Sequence, residues 1–298
     1  MSATAEPTPR PRLVEVGWLL DGTNAQFIWD APRRVVRQRP EARHAKSLTQ
    51  CPAVVDMDAR LFEIRCPVDI ALGFRFDKDE RPSLVNLAGD QSAVRSKHLN
   101  QMLAIVGRRE WADPQRPVIQ IMTPYVFVAD EPVFVNQLPP FYAWRKDALP
   151  GLMVGGRFPV HLWPRQLMWA FEWYDIKKPL VLKRGEPWWY VRFDHHDPSR
   201  GVRLVEAVLT PELVEYIKGL AGVANYVNQT FQLFEVARER RPERLLVAKP
   251  RGAAKPVEPD PALDAVLLAE ERLFSLDPAT AEPLEPGPAH GEGGREPG

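Results

Sequence analysis

Apolar and polar residues alternate over several short stretches of the chain, a pattern typical of β-strands that bury one face. Residues 13–20 are mostly apolar, residues 21–24 (DGTN) have turn chemistry, and residues 25–30 are again apolar, so together they predict a hairpin. Residues 61–66 and 68–76 predict a second strand pair, because apolar side chains alternate there with polar or small ones.

Three further strands are predicted over residues 117–122, 125–130 and 133–138, which are short and rich in β-branched residues. Prolines punctuate this region, beginning with Pro124, and a proline within a sheet occupies an edge, a bulge or a corner. No regular alternation of strands with helices is present, so a parallel sheet wound with helices is disfavoured. An antiparallel sandwich or a jelly roll fits the pattern better.

Helical spacing of apolar residues occurs in fewer places. Residues 93–106 predict a helix that ends at Gly107. Thr210 is a suitable N-cap before a proline and an acid, so we predict one helix over residues 211–220 and another over residues 224–240. The predicted fold class is therefore mainly β (α+β), an antiparallel sandwich or jelly-roll-like domain with C-terminal helices.

Composition divides the chain into three parts. Residues 1–11 and 250–298 are rich in Pro, Ala, Glu and Gly, a composition that predicts disordered termini around one globular domain at residues 12–249. The tail contains one helical pattern, residues 261–276, behind Asp260 as N-cap. This helix is expected either to dock onto a protein partner or to fold back onto its own domain.

Charge and cysteine content restrict the partners and the compartment. The 39 basic and 39 acidic residues cancel, so neither nucleic acid nor an anionic membrane is an expected partner, and the basic run at residues 33–46 is interpreted as a solvated loop. No apolar run approaches the ~20 residues of a membrane-spanning helix. Cys51 and Cys66, with no secretion signal in the sequence given, predict a reducing cytoplasmic location.

Aromatic residues are densest in two runs, residues 167–173 and 188–193, which we predict to pair as one β-hairpin. Alternation places one apolar set of each run in the core: Leu167, Trp169, Phe171 and Trp173 from the first run, and Trp189, Val191 and Phe193 from the second. The opposite face of the hairpin then combines aromatic rings with a carboxylate and a guanidinium.

That second face is the candidate ligand site. We expect Trp188 and Tyr190 to stack on a small polar or carbohydrate-like ligand while Glu172 and Arg192 hydrogen-bond to it. The competing interpretation is purely structural: Glu172 and Arg192 pair across the strands, and the two aromatic side chains cover them.

Metal chemistry is the next alternative. His195 and Asp197 resemble the start of a two-histidine, one-carboxylate iron site, for which His161 or Glu172 would have to supply the missing ligand. A solvated turn explains the same residues. No nucleophile, phosphate-loop or cofactor motif occurs at a suitable spacing, so the sequence leaves open both whether a cofactor is bound and whether a reaction is catalysed.

The stretch GRFPVHLWPRQLMWAFEWYDIKKPLVLKRGEPWWYVRF, residues 156–193, resembles the core of a bacterial family of uncharacterised proteins. In that family a Trp-bearing strand and a basic, Pro-containing link precede a Gly-Glu-Pro and an aromatic strand. The matching elements here are Trp169 and Trp173, residues 177–179, and Gly185 to Pro187 with the aromatic run behind them. The resemblance implies a compact, mostly β domain and no particular activity.

The preferred functional prediction is non-covalent binding of a small polar or carbohydrate-like ligand on the aromatic face. A metal-dependent enzyme of the cupin or jelly-roll type is one alternative. A protein-interaction module that docks through the tail helix is the other.

Overall fold

The computed structural model describes residues 13–22, 25, 28–36, 51–92, 96–224, 226–227 and 229–250. Strand residues outnumber helical residues among them, which confirms the mainly β prediction. The N-terminal segment at residues 1–11 and the tail helix predicted at residues 261–276 lie outside the described residues, so both stay predictions.

The described residues form fourteen strands and four α-helices. The strands are β1 (Val14–Leu20), β2 (Arg33–Arg34), β3 (Leu61–Arg65), β4 (Ile70–Phe76), β5 (Pro82–Asn86), β6 (Leu103–Ile105), β7 (Val118–Val128), β8 (Val133–Leu138), β9 (Gly151–Val154), β10 (Gly156–Pro159), β11 (Gln166–Trp173), β12 (Leu180–Leu182), β13 (Pro187–His195) and β14 (Val202–Glu206). The helices are α1 (Pro52–Ala59), α2 (Ser96–Met102), α3 (Pro211–Ala224) and α4 (Thr230–Arg240).

These strands form three sheets. Sheet A has the order β14, β1, β7, β11, β9, with β6 also paired to β7. Sheet B has the order β10, β8, β13, β3, β2, and sheet C has the order β12, β4, β5. Neighbouring strands are antiparallel except for β1 and β14, which run parallel.

Sheets A and B pack face to face through buried aromatic side chains. Trp169 on β11 contacts Trp188 on β13 with ring centroids 5.3 Å apart. Phe127 on β7 contacts Phe193 on β13 with centroids 5.1 Å apart. All four side chains belong to one buried hydrophobic cluster, so the predicted antiparallel sandwich is confirmed.

The predicted hairpin between the two aromatic runs is wrong. β11 pairs with β7 and β9 in sheet A, whereas β13 pairs with β3 and β8 in sheet B. The chain between them forms β12, which joins β4 in sheet C. The two aromatic strands therefore face each other across the core instead of lying side by side in one sheet.

The two other predicted strand pairings are also wrong, because the strands involved pair with distant parts of the chain. β3 and β4 form as expected but belong to different sheets. At the N-terminus, β1 pairs with β7 and β14 instead of a return strand, and the Trp29 N–H donates to the carbonyl of Ala25 at 2.9 Å. The Trp29 ring lies against Trp188, with centroids 6.2 Å apart.

Pro124 lies at a break in the pairing between β7 and β11. This confirms the expectation that a proline within a sheet occupies an irregular position. Gln166 pairs with Val126 and Met168 with Met122, so residues 123–125 of β7 oppose Leu167 alone, which marks a bulge in β7 around Pro124. Because Pro124 has no N–H, it cannot donate to the ladder. The carbonyl of Leu167 instead accepts a hydrogen bond from the Thr123 hydroxyl at 2.8 Å.

The helical predictions are mostly confirmed. α3 and α4 correspond to the helices expected after Thr210, whose hydroxyl accepts the Leu213 N–H at 3.2 Å. They share a second buried cluster with residues of β1 and β7, such as Leu19 and Val126, and so cover part of the outer face of sheet A. The helix predicted over residues 93–106 is shorter: α2 ends at Met102, and the apolar residues that follow form β6 at the side of β7.

No helix in the described part of the chain is long and apolar enough to cross a membrane.

Gly151 is required by the packing of β9 on β11. A Cβ at this position would lie 2.0 Å from the carbonyl oxygen of Glu172, whereas a Cβ at Gly107 would meet nothing within 4 Å. We expect Gly151→Ala to lower the free energy of unfolding by about 1–3 kcal/mol, because the rigid backbone must move. Urea denaturation measures this change. Gly107→Ala is the control, and an equal loss in both variants would contradict the β9–β11 packing.

Candidate functional site

Trp188, one of the two predicted stacking residues, is 0% exposed. Its ring lies between Trp29 and Trp169 in the core. The cause is a register shift between β13 and β3 from Pro187 to Trp189, which lets both Trp188 and Trp189 point inward. Trp188 is therefore a core residue and cannot stack on a ligand at the surface.

Beyond this irregularity, β13 alternates as predicted. Val191 and Phe193 are buried between the sheets, so Tyr190, Arg192 and Asp194 project from the outer face of sheet B. The predicted core face of β11 is also confirmed, since Leu167, Trp169, Phe171 and Trp173 are all buried.

Glu172 is separated from the other predicted site residues by the sandwich itself. It alternates with the buried Phe171 and Trp173, so it projects from the outer face of sheet A. Arg192 projects from the outer face of sheet B. The two side chains neither pair across strands nor line a common surface, because the hairpin that would have joined them is not formed.

Tyr190 supports the outer face of sheet B. It is 2% exposed and packs with Val35 and Leu61 in a small buried cluster. The ring of Phe141 lies above it with centroids 5.3 Å apart, and that of Tyr142 with centroids 6.1 Å apart. Tyr190 thus holds other aromatic residues in place and has little surface of its own to offer a ligand.

Arg192 is the centre of a polar network on the same face. Its Nη2 donates to Asp56 of α1 at 2.8 Å, and its Nη1 lies 2.7 Å from Asp194. The other carboxylate oxygen of Asp194 accepts a hydrogen bond from Asn136 of β8 at 2.8 Å. Arg60 also lies 3.3 Å from Asp56. The network therefore ties α1 and β8 to β13.

A loop, residues 139–149, crosses this face beside the network. The Tyr142 hydroxyl lies 3.1 Å from Asp58 of α1. Arg145 donates to the carbonyl of Pro187 at 3.0 Å and lies 3.3 Å from the Glu186 carboxylate. The loop is thus attached to α1 on one side and to the start of β13 on the other.

Two aromatic side chains of this loop are directed to solvent. Trp144 is 85% exposed and Phe141 is 47% exposed. We call the surface formed by these aromatic residues and the Arg192 network the polar strip; its members are Asp56, Asn136, Phe141, Trp144, Arg192 and Asp194. It combines exposed ring faces with fixed hydrogen-bond donors and acceptors.

Sequence reasoning identified Arg192 and the aromatic partner beneath the strip, Tyr190, but not the other members. The cluster FYAW at residues 141–144 is a signal that was available, since aromatic residues in a loop flanked by prolines are not required by a strand pattern. Nothing in the sequence indicates that Asp56 on α1 and Asp194 on β13 bind the same guanidinium.

Three of the residues proposed as metal ligands make hydrogen bonds within the protein. His195 Nδ1 accepts the Asp197 N–H at 3.1 Å, and the Asp197 carboxylate accepts the Ser199 N–H at 2.9 Å. The hydrogen bonds from Ser199 hold the pKa of Asp197 below its usual range. His161 Nδ1 lies 3.1 Å from the Val133 nitrogen. In the part of the chain that the structure describes, no three His, Cys, Asp or Glu residues are grouped closely enough to hold a metal.

An open depression of about 750 Å³ lies elsewhere on the surface, lined by Leu13, Glu15, Asp130, Glu131, Arg203 and Leu246. Its charged groups already bind other parts of the protein. Glu15 pairs with Arg203. Asp130 accepts the Leu245 N–H at 2.6 Å. None of the four predicted ligand-binding residues lines it, and we favour the polar strip as the candidate site.

Comparison with known proteins adds no functional information, because the sequence matches no protein-family model and no curated protein.

His195 makes stability depend on pH. Its side chain is 1% exposed, and its Nε2 has no hydrogen-bond partner among the described residues, with Glu131 at 3.8 Å. Burial, assisted by the neighbouring His196 and by Arg200, lowers the pKa of His195, although the charge of Glu131 acts in the opposite direction. The unfolded chain therefore binds this proton more readily than the folded protein does.

We expect the free energy of unfolding to be fully maintained above pH 6.5, the ordinary pKa, and to fall as the pH drops below it. His195→Gln removes the titrating group and should flatten the dependence in urea denaturation between pH 7.5 and 5.5. His98→Gln, at an exposed histidine, is the matched control. Equal slopes for His195→Gln and the unaltered protein would contradict a buried, neutral His195.

Proposed function

We propose that the protein binds a neutral, hydroxyl-rich ligand of carbohydrate type on the polar strip. The observation that carries the proposal is the 85% exposure of Trp144, which shares a loop with Phe141, whose ring lies over Tyr190 on the face that carries the Arg192 network. The flat faces of aromatic rings pack well against the apolar face of a sugar ring. An isolated exposed apolar residue needs no explanation, but two exposed aromatic residues in one loop favour a binding surface.

The charges of the strip favour a neutral ligand over an anion. Arg192 contacts Asp56 and Asp194, Arg60 contacts Asp56, and Arg145 contacts Glu186. Each guanidinium is therefore compensated by a carboxylate, and no cationic side chain of this network is left for a phosphate or a carboxylate ligand. Arginine and aspartate side chains held in this way present hydrogen-bond donors and acceptors in fixed directions. The hydroxyl groups of a sugar can use both, because each hydroxyl donates one hydrogen bond and accepts others.

This proposal keeps the predicted ligand class and changes the residues. Trp144 and Phe141 replace Trp188 and Tyr190 as the stacking side chains, because Trp188 and Tyr190 are buried. Arg192 keeps its predicted role as a hydrogen-bonding group, and the carboxylates of Asp56 and Asp194 take the place of Glu172. We also propose a cytoplasmic location, which the unpaired Cys51 and Cys66 support.

Trp144→Ala tests the site with little risk to the fold, because an exposed side chain contributes little to stability. We expect the substitution to weaken binding to neutral oligosaccharides at least tenfold, about 1.4 kcal/mol. An oligosaccharide array identifies the bound sugar, and isothermal titration calorimetry measures its dissociation constant. The melting temperature should stay within about 1–2 °C of that of the unaltered protein.

Tyr226→Ala is the matched control, because Tyr226 is equally exposed but lies next to α3, away from the strip. It should leave binding unchanged. Two results would contradict the proposal: binding of no sugar on the array, or equal binding by the Trp144→Ala variant.

A further inference from the structure

Four members of the polar strip are arranged in order along β13, while Asp56 on α1 and Asn136 on β8 lie beside it. Arg145, next to Trp144, is bound to the carbonyl of Pro187 at 3.0 Å. Phe141 lies over Tyr190 at 5.3 Å. The side chains of Arg192 and Asp194 come next along β13. The strip is therefore linear, and its long axis is the direction of β13.

The length of the strip exceeds that of a single sugar. Pro187 and Asp194 are the two ends of the stretch of β13 that it covers. Because the bulge at Trp188 adds one residue without advancing the pairing, six steps of about 3.3 Å span roughly 20 Å. Side chains on the same face of a strand recur at every second residue, so successive contact points are offset along this axis. A small molecule could reach only a part of them.

The two ends of the strip differ in chemistry. The end near Pro187 has the exposed ring of Trp144, and the middle has that of Phe141 above Tyr190. The other end has only polar groups, Arg192 with Asp56 and Asp194 with Asn136, each pair 2.8 Å apart. A ligand that uses both ends must stack at one of them and hydrogen-bond at the other.

The part of the strip from Phe141 to Asp194 is also held in place before any ligand binds. Tyr190 is buried beneath it, and the Arg192 network attaches it to α1 and β8. An extended ligand would therefore meet contact points that need little reordering, and this reduces the entropic cost of binding.

From this geometry we propose that the ligand is an extended oligosaccharide bound along β13, stacked at the Trp144 end and hydrogen-bonded at the Asp194 end. This inference rests on the proposed function and specifies the size and the orientation of the ligand. Its consequence is that affinity depends on chain length, because each further sugar unit reaches a contact point that a shorter ligand cannot use.

The test uses the full chain and three probe series, cello-, malto- and chito-oligosaccharides of one to six units, each titrated by calorimetry. In the series that binds, affinity should rise at least tenfold between two and five units and then reach a plateau. Asp194→Asn retains the size of the side chain. It should weaken binding of the longest probe at least threefold, and it should not change binding of the shortest probe, which contacts only the Trp144 end. Trp144→Ala should weaken both.

The outcomes separate the two proposals. If a single sugar unit binds as tightly as five, the extended mode is wrong while the proposed function stands. The extended mode is also wrong if Asp194→Asn weakens short and long probes equally in a protein whose melting temperature is unchanged. If none of the three series binds, the extended mode is overturned, and the proposed function is overturned with it when the oligosaccharide array shows no bound sugar either.

Discussion

The contact of Trp169 with Trp188 between the two main sheets is the interaction on which the rest of the structure depends. The rings meet at 5.3 Å, and Trp29 stacks on the other side of Trp188. Burying an aromatic side chain contributes several kilocalories per mole, more than any exposed ion pair of this protein can supply. The irregularity of β13 that turns both Trp188 and Trp189 inward also sets the phase of the residues that follow.

That phase determines what the outer face of sheet B carries. Because Val191 and Phe193 are buried between the sheets, Arg192 and Asp194 face outward, where α1 and β8 complete their network. Partly buried ion pairs of this kind contribute little net stability after desolvation, so their value lies in fixing geometry. The aromatic core thus supplies the stability, and the network supplies a polar surface of defined shape.

The faces of the main core strands could be predicted from the sequence, whereas several short strands, such as β9 and β14, and the strand partners could not. Alternation shows that Trp169 and Phe171 share a face, but it does not show which strand lies beside them. The sequence therefore favours pairing between strands that are neighbours along the chain. In the structure, β3 and β4 lie in different sheets, and so do β11 and β13. Trp188 was assigned to the wrong face because a one-residue irregularity cannot be read from the alternation. Trp144 lies in a loop without periodicity, and only its exposure indicates a role.

A double-mutant cycle on Trp169 and Trp188 tests the arrangement most directly. The substitutions Trp169→Leu and Trp188→Leu are made singly and together, and urea denaturation gives the free energy of unfolding of each protein. Contact across the core predicts a coupling energy of about 0.5–1.5 kcal/mol. Trp144→Leu combined with Trp169→Leu is the reference pair, which should be additive because Trp144 is exposed. Additivity of the Trp169 and Trp188 substitutions would contradict the packing of β11 against β13.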